Sequence, residues 1–107
     1  MSYDIWLTID TGGPEPAAVG GSFNMTSNVA PMWRKAGCDL ADVHGKVASE
    51  VIPDLRKAIA DMADHPAEYL PLNPPNGWGD YAGCLEFLRE LLAEFESHPK
   101  ATVRVWR

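Results

Sequence analysis

Two stretches of the chain gather amides, hydroxyls and tryptophan around what reads as the entrance to a helix. The first is Asn24-Met25-Thr26-Ser27-Asn28-Val29-Ala30-Pro31-Met32-Trp33. The second is Asn73-Pro74-Pro75-Asn76-Gly77-Trp78-Gly79-Asp80-Tyr81. These residue types suit recognition better than bond-breaking. Amides and hydroxyls supply uncharged donors and acceptors, and an indole supplies an aromatic wall for a base, a sugar or a peptide. A tryptophan flanked by glycines in a loop is the kind of side chain that anchors a partner, and loops on a rigid scaffold concentrate binding residues. The candidate binding residues are therefore Asn24, Thr26, Ser27, Asn28, Trp33, Asn76, Trp78, Asp80 and Tyr81.

Each stretch also has a purely structural reading. Ser27 or Asn28 can cap a helix while Asn24 and Thr26 hold the preceding turn, and Trp33 can be core. Pro75-Asn76-Gly77 reads as a turn with Gly77 at positive φ, Trp78 as an anchor for the loop and Asp80 as a helix cap. The excess favours function, because a turn and a cap need only a few such residues.

The free N–H groups of a helix start attract anions. The Ser27/Asn28 entrance is uncharged, with Arg34 and Lys35 nearby, so a nucleotide-like ligand would point its phosphate there. Asp80 would repel one at the other entrance.

Catalytic arrangements find little support. Ser27, His44 and Asp80 supply the residue types of a hydrolytic triad, but no G-x-S-x-G elbow is present. His44 precedes Gly45 and reads as a helix-end residue; His65 and His98 each precede proline, where imidazolium suits the helix dipole. Cys38, His44 and Cys84 lack paired metal-ligand spacing, and the glycine pairs 12–13 and 20–21 fit no phosphate loop. No catalytic residue, metal ligand or cofactor is assigned.

Bulk properties narrow the setting. At 107 residues, 46% hydrophobic and 22% charged, the chain has one domain's length and an ordinary globular composition. A net charge of −6 with scattered Lys and Arg argues against a nucleic-acid interface. No apolar run approaches a membrane span, and no export signal is read at the start. The expectation is a soluble, cytoplasmic protein with Cys38 and Cys84 reduced and packed.

The elements that must position these residues follow from periodicity. Tyr3–Ile9 alternates as a strand. Asp10–Pro16 is turn chemistry. Ala17–Met25 could return as a further strand, with Gly20-Gly21 marking a bulge or a hairpin bend. A short helix spans about Asn28 to Ala36, with Pro31 in its first turn and Gly37 ending it. Asp39 caps a further turn. A helix from about Lys46 to Ala63 carries Val47, Val51, Ile52, Leu55, Ile59 and Met62 at helical spacing, with either a kink or a new start at Pro53. Residues 65–79 are too proline-rich for regular structure. Asp80 caps a long amphipathic helix, and Ala101–Trp106 alternates as a last strand. Leu55-Arg56 through His65-Pro66 also echoes Leu88-Arg89 through His98-Pro99; two copies make no repeat protein. The fold class is a single α+β domain, a small antiparallel sheet with its N- and C-terminal strands paired, packed against three helices.

The NMTSN run beginning at Asn24, the PPNGWGDY run beginning at Pro74 and the opening Ser2-Tyr3-Asp4 strand resemble a family of small proteins from actinobacteria and their phages. The resemblance spans nearly the whole chain. It implies no activity and no catalytic residues, but an intracellular, phage-related setting in which small proteins bind and redirect a host protein. The functional expectation is a non-enzymatic binding protein that presents the two loops to a host protein or small ligand. The runner-up is a small-molecule, nucleotide-like module or small hydrolase with Asn28, His44 and Asp80 in its site. Homodimerisation is a third option, should Trp6 and Trp106 form a patch on an uncovered sheet.

Overall fold

The structure, a computed structural model, describes residues 1–107. Strand β1 (Ser2–Ile9) forms the centre of a three-stranded antiparallel sheet, between β2 (Ala17–Thr26) and β3 (Thr102–Trp106). The first and last strands pair, as their alternation implied. The ambiguous second segment is a full strand.

Its glycine pair is a bulge. Ile5 pairs with Phe23 and Leu7 with Val19, so Gly20, Gly21 and Ser22 oppose Trp6 alone. Two extra residues keep the alternation in phase, because a strand's side chains change face at every position. Val19, Phe23 and Met25 therefore all pack on the core beside Tyr3, Ile5 and Leu7. Gly20 adopts φ +68, a left-handed conformation that favours glycine, and the bulge lies against the Glu94 carboxylate of the last helix.

The helices pack on the face marked by these core residues. Helix α1 (Ala30–Lys35) follows a 3-10 turn over Ser27–Val29, and a 3-10 turn capped by Asp39 follows it. Helix α2 (Ala48–Asp64) runs unbroken with Pro53 inside, so the proline neither ends nor restarts it. Its six buried residues, among them Val51, Leu55, Ala58 and Met62, form the apolar stripe that holds it down. Residues 65–79 correct the sequence reading, since a short helix α3 (Pro66–Tyr69) and a 3-10 turn over Leu70–Leu72 form there. Proline is tolerated in the first turn of a helix, where its missing N–H has no partner to lose, and the buried Tyr69 ring pins the segment. Helix α4 (Tyr81–Ser97) lays a second apolar face on the core, burying Cys84, Leu85, Phe87, Leu88, Leu91 and Phe95. Both cysteines are free and buried.

The echo between α2 and α4 has a local cause. Both helices end at a histidine before proline, with φ/ψ of −131/54° at His65 and −135/62° at His98. The following proline ring bars the helical conformation at both positions.

The edges of the sheet differ. Along β3, Val103 exchanges hydrogen bonds with Gly45 and Lys46 (both 2.8 Å), and the Val105 N–H donates to His44 Nδ1 at 2.9 Å. The imidazole thus completes a covering segment over an edge that would otherwise invite pairing. The β2 edge is uncovered.

Candidate functional site

The two polar stretches meet. β2 ends at Thr26, and the chain turns at Ser27–Val29 into α1, which leaves Asn24, Thr26 and Asn28 at one rim of the sheet. The loop before α4 folds back to the same rim, where Asn28 Nδ2 donates to the Trp78 carbonyl at 3.5 Å. Between them lies an open cleft of about 540 Å³, lined by Met1, Ser2, Asn24, Thr26, Asn28, Asn76 and Trp78. No charged side chain lines it.

The amides in this cleft are oriented by their partners. Asn24 Nδ2 donates to Asp4 Oδ1 at 2.7 Å and Ser2 Oγ at 3.2 Å, which turns its carbonyl oxygen away from a carboxylate that can only accept. Asn28 spends its Nδ2 on the Trp78 carbonyl. Asn76 Oδ1 accepts from the Trp78 N–H at 3.0 Å, an Asx turn that leaves its NH2 free. The cleft therefore presents two amide oxygens, one amide NH2 and the Trp78 indole, which is 70% exposed.

The loop is built to hold this shape. Gly77 N–H closes a turn on the Pro74 carbonyl at 3.2 Å, and Asn73 Oδ1 accepts from the Tyr81 N–H at 2.7 Å. Gly79, at φ +90, passes so close to the first stretch that a Cβ would lie 2.6 Å from Thr26 Cγ2 and 2.8 Å from Val29 Cγ1. The two stretches are thus seated against each other by backbone contact as well as by the Asn28 bond.

Of the nine residues singled out by sequence, Asn24, Thr26, Asn28, Asn76 and Trp78 line the cleft. Trp33 does not, and is a correction. It is wholly buried, edge-on to Tyr3 at 5.0 Å between ring centroids and 6.0 Å from Phe87. Its position follows from helical spacing with Val29 and Ala30, which are buried with it. Asp80 is the cap of α4, its Oδ1 accepting from the Gly83 N–H at 2.7 Å. Tyr81 donates its hydroxyl to the Met62 carbonyl and so ties α4 to α2. Ser27 donates to the Met1 carbonyl at 3.1 Å and lies in a neighbouring hollow of about 440 Å³ with Tyr3, Arg34 and Arg107.

The anion-binding entrance is a second correction. Ser27 N–H bonds the Met1 carbonyl at 3.1 Å and Asn28 N–H bonds Thr26 Oγ1 at 3.3 Å, so Thr26 is the cap and those donors are taken. Arg34 faces Asp39 at 3.6 Å and Lys35 faces Glu68 at 3.8 Å. The triad types are also engaged separately, because His44 accepts from β3, Ser27 donates to the Met1 carbonyl and Asp80 caps α4. No three His, Cys, Asp or Glu side chains gather where they could hold a metal ion, and no helix is long and apolar enough to cross a membrane.

Sequence reasoning missed Ser2 and Asp4 as parts of the site. Their signal was the hairpin register, which sets Ser2 opposite Thr26 and Asp4 opposite Asn24. Comparison of the chain with protein-family models, with curated proteins and with solved structures finds no match to any of them.

Proposed function

We propose that this chain is a binding protein without a catalytic role, and that the Asn–Trp cleft receives an exposed polar segment of a protein partner. The observation that carries the reading is the convergence of Asn24, Asn28, Asn76 and Trp78 on one cleft without charged side chains, with their amides already oriented. Pre-oriented groups lose little freedom on binding, which favours affinity. A small-molecule site encloses most of its ligand, whereas Trp78 lies open at the rim. An open rim fits a segment that is itself held on a larger body. The resemblance to actinobacterial and phage proteins makes a host protein the partner to seek.

The test is site-directed photo-crosslinking in host cells, with a photoreactive phenylalanine analogue at position 78 and, as control, at the exposed Glu86 on α4. A discrete partner adduct from position 78 and none from position 86 is expected. Equal labelling from both positions would contradict the reading.

One observation favours a second reading. The cleft is concave, and its volume lies within the range of about 300–1,000 Å³ typical of small-ligand pockets. In that case a small neutral ligand stacks on Trp78. Native mass spectrometry of protein purified from its own host would then show an adduct that Trp78→Ala removes.

A further inference from the structure

The helices cover one face of the sheet only, and the other face carries two tryptophans. Core packing of Tyr3, Ile5, Leu7, Val103 and Val105 turns Asp4, Trp6, Thr8, Arg104 and Trp106 to the opposite side. Thr8 is buried beside the Arg104 guanidinium, Trp6 is half-buried and Trp106 is 69% exposed. A single exposed apolar residue needs no explanation, but adjacent tryptophans on an uncovered sheet do.

The arrangement is a chequerboard. On neighbouring strands Asp4 lies opposite Trp106 and Trp6 lies opposite Arg104, so the two tryptophans occupy one diagonal and the two charges the other. The charges are held in place by neutral partners. Asp4 Oδ1 accepts from Asn24, and Arg104 Nε donates to Thr8 Oγ1 at 3.0 Å. Neither belongs to any of the salt bridges of the chain. The second carboxylate oxygen and the terminal guanidinium N–H groups are left for something else.

We infer that this face is a homodimer interface, its occupant a second copy of the same face. A two-fold axis along the tryptophan diagonal places each Asp4 over Arg104 of the other copy and each indole over its own mate. The strands then cross near a right angle, one of the two ways in which sheets stack. The contact is isologous, as a two-fold requires. Charge supports this occupant. Asp4 and Arg104 are the only charged residues at the strand positions of this face, which is therefore neutral on a chain of net charge −6. Two acidic copies can meet here without like-charge repulsion, and Trp and Arg are the residues that concentrate binding energy in interfaces. The contact borders the Asn–Trp cleft, since Asn24 lines the cleft and holds Asp4.

Sedimentation velocity over a concentration series tests the inference on the intact chain. The unmodified protein should associate to a dimer, more weakly as salt is added. Asp4→Arg and Arg104→Asp should each weaken the dimer by roughly tenfold or more, because each sets like charges against each other. An equimolar mixture of the two variants should associate again, as a heterodimer with one reversed and one native ion pair. Trp106→Ser, at an exposed position that the fold does not need, should also dissociate the dimer. A monomer at every accessible concentration, or dimers indifferent to all three substitutions, would overturn the proposal.

Discussion

Trp33 and Trp78 stand in similar company, each a few residues after an asparagine and near the entrance to a helix, yet one is wholly buried and the other 70% exposed. The difference lies in the backbone each inherits. Trp33 sits inside α1, and the helical period carries it to the side already occupied by Val29 and Ala30. Trp78 sits between Gly77 and Gly79, both at positive φ, in a loop held through its backbone, its N–H by Asn76 and its carbonyl by Asn28. An indole is placed by the conformation of its neighbours, whatever its chemistry suggests. The first tryptophan therefore supports the scaffold, and the second is free for recognition.

Substitutions should break this comparison in a set order. Trp33→Ala empties the centre of the core and should destabilise the fold by about 3–5 kcal/mol, read from denaturant unfolding. Gly79→Ala forces a Cβ against Thr26 and Val29 at positive φ, with an expected cost of about 1–3 kcal/mol. Because the clash falls where the loops meet, partner binding should weaken with it. Asp80→Ala removes the cap of α4 and should cost about 1 kcal/mol, without changing what the cleft binds. Trp78→Ala should lie at the bottom of the stability scale, within about 0.5 kcal/mol, and at the top of the binding scale, abolishing partner binding. A Trp78→Ala variant that melts far below the parent would make Trp78 a structural anchor and erase the contrast.

The buried thiols give a pH prediction. Burial, with Asp54 adding, pushes Cys38 up to about 11, and burial with Asp80 pushes Cys84 up to about 12, both from an ordinary 9.0. A thiol whose folded value is raised favours the native state fully below its ordinary value, and that contribution is lost as pH climbs through the folded value. Unfolding midpoints should therefore hold up to about pH 9 and fall above it. Native protein should react with a thiol reagent only as fast as it opens.

Much of the fold was legible because its signals are periodic. The alternation at both termini identified the paired strands, and the Asp80 cap with its apolar stripe fixed α4. Gly20-Gly21 pointed to a bulge or a hairpin bend, and the register makes it a bulge. Pro53 was ambiguous because sequence cannot say whether surrounding packing will hold a helix together across a missing hydrogen bond. The α3 segment was hidden because its prolines fall where a helix start tolerates them, and Tyr69 was needed to fasten it. The site was half legible. Residue types marked Asn24, Asn28, Asn76 and Trp78, but the pairing of Ser2 and Asp4 with β2 depends on strand register, which no local pattern specifies. His44 read as the end of a helix. Its bond to Val105 spans 61 residues and leaves no trace in the sequence around it.

The claim on which the account depends is that the two stretches form one surface through the bond from Asn28 to the Trp78 backbone. Nuclear Overhauser spectroscopy of the labelled protein tests it most directly. Cross-peaks are expected from the Asn28 side-chain amide to the Trp78 and Gly79 α-protons, and from the Gly79 α-protons to the Val29 methyls. A spectrum in which residues 74–79 show no cross-peaks to 26–29 would contradict it.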